Sequence, residues 1–65
     1  MPKTVQYYLS PGGAYVEITS DSGIALATYS VAQGMSPEVA EVRAALVAEE
    51  VARAEGAVYR GEMSG

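Results

Sequence analysis

The 65-residue sequence predicts an α+β domain of β-β-β-α order, with a three-stranded antiparallel sheet of two hairpins and one C-terminal helix on one face. Three observations carry this reading. Residues 4–30 fall into segments that alternate apolar and polar side chains, the period of a half-buried strand. Turn signals rich in Gly, Pro, Ser and Asp separate those segments. Beyond Ser36 the apolar spacing changes to threes and fours, the period of a helix.

The first segment, residues 4–9 (TVQYYL), sets Val5, Tyr7 and Leu9 on one side and Thr4, Gln6 and Tyr8 on the other. Ser10-Pro11-Gly12-Gly13 is a hairpin turn, because Pro presets φ and Gly tolerates positive φ. The second segment, residues 14–20 (AYVEITS), alternates again. Ser20-Asp21-Ser22-Gly23 suits a type I turn with Gly23 in the left-handed position. Residues 24–30 (IALATYS) form the third strand. If Ser10 faces Gly13, then Leu9 faces Ala14, Tyr7 faces Val16 and Val5 faces Ile18. If Ser20 faces Ile24, then Ile18 faces Leu26 and Val16 faces Thr28. Both registers set Val5, Tyr7, Leu9, Val16, Ile18, Ile24 and Leu26 on one face, which a one-residue slip would undo.

Ser36 fits an N-cap, Pro37 the first helical position and Glu38 the positive end of the helix dipole. Good helix formers run over residues 37–55, and Gly56 is the natural stop. Residues 57–65 read as a loose tail of the single domain. The helix carries two apolar stripes. Ala40, Ala44, Val47, Val51, Ala54 and Val58 recur at alternating spacings of four and three, as in a coiled-coil seam. Val39, Val42 and Leu46 form a shorter, bulkier stripe. Either both stripes pack on the sheet as one broad apolar face, or the bulky stripe packs there and leaves the small-residue stripe for another helix; the expected core is Val16, Ile18, Leu26, Val42 and Leu46. Glu49 and Arg53 stand in the favourable i, i+4 order.

Composition narrows the function classes. A chain this short builds a marginal core and usually adds a disulfide, a metal or a partner. It has no Cys and no His, so disulfides are excluded and zinc nearly so. A partner is then the expected source of stability. The net charge of −4 and the scattered Lys3, Arg43, Arg53 and Arg60 argue against direct nucleic-acid or membrane binding. No apolar run is long enough to span a bilayer, and Met-Pro-Lys-Thr is not the start of a secretory signal. The expected location is the cytoplasm or a particle assembled there.

No catalytic, metal or cofactor site is expected. A hydroxyl nucleophile lacks a His base, and the adjacent Glu49 and Glu50 diverge by about 100° on a helix. The Gly-rich turn lacks the Lys and helix start of a phosphate loop, and Asp21-Ser22-Gly23 lacks the further ligands of a calcium loop. What remains concerns surfaces. The predicted registers line up Tyr8, Tyr15 and Tyr29 in one row on the open face of the sheet, beside Ala25 and Ala27. Such a row is either a sheet stabiliser or an interface, since Tyr is common at binding hot spots. The candidate binding residues are therefore Tyr8, Tyr15 and Tyr29 together with Ala40, Ala44, Val47, Val51, Ala54 and Val58. The expected function is a non-enzymatic protein–protein interaction or assembly module, self-associating or part of a larger particle such as a virion. The alternative is an acidic antagonist that occupies a basic nucleic-acid-binding surface of another protein. No small-molecule substrate is expected.

Overall fold

A computed structural model describes residues 2–63. It shows an α+β fold with four strands: β1 (Thr4–Ser10), β2 (Gly13–Thr19), β3 (Ala25–Ser30) and β4 (Val58–Glu62), with helix α1 (Pro37–Glu55) between the last two. The sheet order is β3-β2-β1-β4. β2 pairs antiparallel with β1 and with β3, while β4 lies parallel to β1. The sheet is thus mixed rather than a three-stranded antiparallel one.

The correction comes from the expected tail. Residues 58–62 are a strand, joined to β1 by Val58 N–H to the Lys3 carbonyl at 2.9 Å and Met63 N–H to the Tyr7 carbonyl at 2.8 Å. Val58 therefore belongs to β4 and not to a helix stripe. A five-residue segment with Arg60, Gly61 and Glu62 has no clean alternation, and a bulge between Val5 and Gln6 interrupts its register. Its pairing uses backbone groups that any sequence carries. Ser64 and Gly65, the end of the expected tail, lie outside the described residues.

The first hairpin adopts the register read from its turn, from Val5 opposite Ile18 to Ser10 opposite Gly13. The second does not. Its turn forms as expected, with Ser20 N–H bonded to the Ile24 carbonyl at 2.8 Å and Gly23 at φ 89°. Its far end is fixed independently. Val31 N–H bonds the Ala14 carbonyl at 3.1 Å, Gly34 N–H bonds the Gly12 carbonyl at 2.8 Å, and Ala32 is buried. A Cβ at Gly13 would stand 2.6 Å from the Ala32 carbonyl oxygen, so the close approach needs glycine there. The two ends demand registers one residue apart. A bulge between Ile18 and Thr19 absorbs the difference, and Ile18 faces Ala27 and Val16 faces Tyr29, not Leu26 and Thr28.

Helix α1 has the expected ends. The Ser36 hydroxyl accepts from Val39 N–H at 3.4 Å, and Gly56 caps the other end at φ 64° with its N–H directed at the Ala52 and Arg53 carbonyls. The helix packs over β1, β2 and β4 and leaves β3 uncovered. Its buried residues are Ala40, Ala44, Ala48 and Ala52, one per four positions. They meet Val5, Tyr7, Val16 and Ile18 from the sheet. Val16 and Ile18 are core, as expected, whereas Leu26, Val42 and Leu46 are exposed. Bulky side chains rise from the sheet here, and small ones on the helix let it come close. A bulky helix face would not fit above them. Among the described residues no helix is long and apolar enough to cross a membrane.

Candidate interaction site

The open face of the sheet, away from α1, holds Tyr8 and Tyr15 directly opposite each other. Their rings stack at 5.0 Å between centroids and 16° between planes. Beside them the Glu17 Oε1 accepts from the Gln6 Nε2 at 2.9 Å, from the Tyr8 hydroxyl at 3.1 Å and from the Thr19 hydroxyl at 3.4 Å. Gln6 Nε2 also donates to Thr19 Oγ1, and Gln6 is buried, with its Oε1 lacking a partner. Burial raises the Tyr8 pKa above its ordinary value of 10.0, and the bond to Glu17 raises it further. This is a closed network that binds adjacent strands together.

Tyr29 is not part of it. The shifted register of β3 pairs it with Val16, so it projects on the helix side, and Ser30 takes its place beside Tyr15. The three-tyrosine row is therefore a pair. The small-residue helix stripe fails as a free surface for a different reason. Ala40 and Ala44 are buried against the chain's own sheet, and Val47 and Val51 pack partly into the same core. Ala54 is exposed.

The exposed apolar side of α1 is instead the one expected inside. Val42 and Leu46 stand about 160° around the helix from Ala44. Val39, Val42 and Leu46 are 53%, 61% and 60% exposed. Beyond the Arg43 flank, β3 is uncovered, with Tyr29 on the helix side at 48% and Leu26, the extra residue of the bulge, at 53%. Arg43 marks the flank of α1 that faces β3, because its Nε donates to the Val31 carbonyl at 2.6 Å. The opposite flank faces β4 and is acidic. Burial raises the Tyr7 pKa, followed by Tyr59, Glu41 and Glu62 nearby, and burial then Glu49 raise that of Tyr59.

The two sheet edges also differ. β4 carries Arg60 and Glu62 and pairs with β1 through a bulge, devices that discourage further strand pairing. β3 reads ALATYS and has no charge and no proline. The expected Glu49–Arg53 pair is replaced by Glu50–Arg53 at 3.5 Å, both side chains in water, while Lys3 and Glu55 meet at 2.9 Å and tie the start of β1 to the end of α1. A depression of about 410 Å³ at the first hairpin, between Tyr15, Thr28, Ser30 and Gln33, has no charged lining residue. The residues that sequence reasoning misplaced, Val39, Val42 and Leu46, were visible as a stripe. The alanine repeat at 40, 44, 48 and 52 was the signal for which side faces in. Comparison of the chain with protein-family models, with curated proteins and with solved structures finds no match.

Proposed function

We propose that the chain is a small non-enzymatic protein–protein interaction or assembly module. One observation carries the reading: its large apolar side chains lie mostly outside. The largest fully buried side chains are Val5 and Val16, whereas Ile24, Leu26, Tyr29, Val39, Val42 and Leu46 are all about half exposed or more. A large exposed apolar patch on a small protein marks a binding surface, and a core built largely from alanine gains little from burial. The missing stability is then supplied on association. The side of α1 and β3, rather than the tyrosine face, is the surface that serves this role, because the tyrosine pair is engaged within its own sheet.

The non-enzymatic part is supported by how the most enclosed carboxylate is used. Glu17 is the carboxylate set deepest in a polar network, and one of its oxygens already accepts from three donors. The test is isolation of the tagged chain from its native source at natural abundance. The expected result is a complex of fixed stoichiometry, with itself or with a protein partner, that Leu46→Glu disrupts. A chain recovered alone, whose melting temperature does not change with concentration, would remove the basis for the reading.

A further inference from the structure

The exposed ridge on α1 and the bare strand β3 are two different shapes that need each other. A helix with a bulky apolar face would cover β3. A cover for Val39, Val42 and Leu46 must be an open apolar surface. We propose that a second copy of this chain supplies both at once, each α1 ridge seated on the partner's β3 in a two-fold dimer. The proposal rests on the interaction reading above and names its partner.

The dimensions agree. β3 lies two strand spacings from β1, about 10 Å at roughly 4.8 Å each. Packed helices lie about 8–10 Å apart. A second helix set over β3 therefore stands beside the first at ordinary packing distance. Because the ridge points away from its own sheet, that second helix must arrive with its own sheet on the far side. A two-fold axis running between the helices and along them satisfies this for both copies. It produces two sheets that enclose one layer of two parallel helices, and each β3 is covered by the partner's helix. Two-fold pairing of one patch with itself is the commonest form of oligomer.

Area and charge favour a copy of the chain over other partners. Tyr29, Val39, Val42 and Leu46 leave roughly 400 Å² of side chain in water, within the range of the largest patch on a monomer. With the small residues between them this approaches the roughly 800 Å² per partner of a standard interface. None of the four is charged, and the flank of α1 beside them carries one charge of each sign, Arg43 and Glu50, so the patch has no net preference for a basic or an acidic partner. The acidic flank near Tyr7 and Tyr59 lies on the β4 side. Two copies, each of net charge −4, can therefore meet with Glu41 and Glu49 held apart, while Arg43 and Glu50, on the flank between ridge and β3, face the seam.

Sedimentation equilibrium of the full chain tests this, alongside oxidative cross-linking, which is clean because the chain has no cysteine. The wild type should sediment as a dimer at micromolar to millimolar concentration. Leu46→Glu should weaken the dimer by about 30-fold or more, as loss of a hot spot does. Its circular dichroism at high dilution should match wild type, since Leu46 is 60% exposed and outside the core. A Tyr29→Cys, Val42→Cys double variant should oxidise to a covalent dimer, and neither single variant should. A wild type that is monomeric at millimolar concentration overturns the proposal. So does a dimer that survives Leu46→Glu, or one that cross-links through Thr28→Cys alone, which marks pairing at the β3 edges. A monomer that still captures a different protein through Leu46 ends the dimer while leaving the interaction reading intact. A monomer that captures nothing ends both.

Discussion

Under the helix and beyond it, the same sheet meets opposite fates. Val5, Tyr7, Val16 and Ile18 are buried beneath four alanines of α1, while Leu26 and Tyr29 on β3 stay about half in water. The helix repeats the contrast on its own circumference, alanine inward and Val39, Val42 and Leu46 outward. Burial in this chain follows complementarity of size more than apolarity. A sheet of bulky residues accepts a close, smooth helix, because interiors pack to the density of crystals and a void forfeits its contacts. One helix is also only about 10 Å across, too narrow to roof four strands. The uncovered edge strand β3 is the consequence.

The largest effect that separates the halves is expected at Ile18. Ile18→Ala should cost about 2–5 kcal/mol, measured by denaturant unfolding of dilute protein. The same truncation at Leu26, beyond the helix, should stay within about 0.5 kcal/mol. Equal costs would abolish the distinction. Next comes a size test on the helix. Ala44→Leu crowds a fully buried position and should cost about 1–3 kcal/mol. Leu46→Ala, on the outer side, should change the dilute monomer by no more than about 0.5 kcal/mol, since alanine is the better helix former. A Leu46→Ala variant that melts as Ala44→Leu does would put the ridge inside after all.

A smaller effect reads the covered half by pH. The folded-state pKa values of Tyr7 and Tyr59 are raised above the ordinary 10.0, chiefly by burial. The neutral phenols are favoured in the fold, so their contribution is fully present below the unfolded value and is lost as pH rises through the folded one. Unfolding free energy should therefore fall with alkalinity beyond about pH 10. Absorbance of the phenolates should rise later in the folded chain than in denaturant. Tyr7→Phe should flatten the alkaline loss, and an unchanged slope would count against burial as its cause.

The two hairpins show how far local chemistry reaches. In the first, Pro11 and Gly12 fix a short turn, and the alternation on both strands agrees with it, so the register was legible. In the second, the turn at Asp21–Gly23 was also legible. The register was not, because the docking of Val31 and Ala32 against Gly13 and Ala14 acts from the far end and introduces a bulge. That one-residue shift moved Tyr29 to the opposite face and broke the expected row. The exposed ridge of α1 shows the same limit. Val39, Val42 and Leu46 are legible as a stripe, but the side they face depends on what packs beneath the helix.

By itself the sequence determined the helix to both ends, through Ser36, Pro37 and Gly56, and the first three strands to within a residue at each end. These depend on caps, turns and periodicity, which act over a few neighbouring residues. Only the tertiary structure decided that residues 58–62 are a strand, that β3 is bulged, and that alanine rather than valine and leucine faces the sheet. Each of those outcomes depends on which distant backbone or side chain arrives alongside, and on whether its shape fits the space that remains.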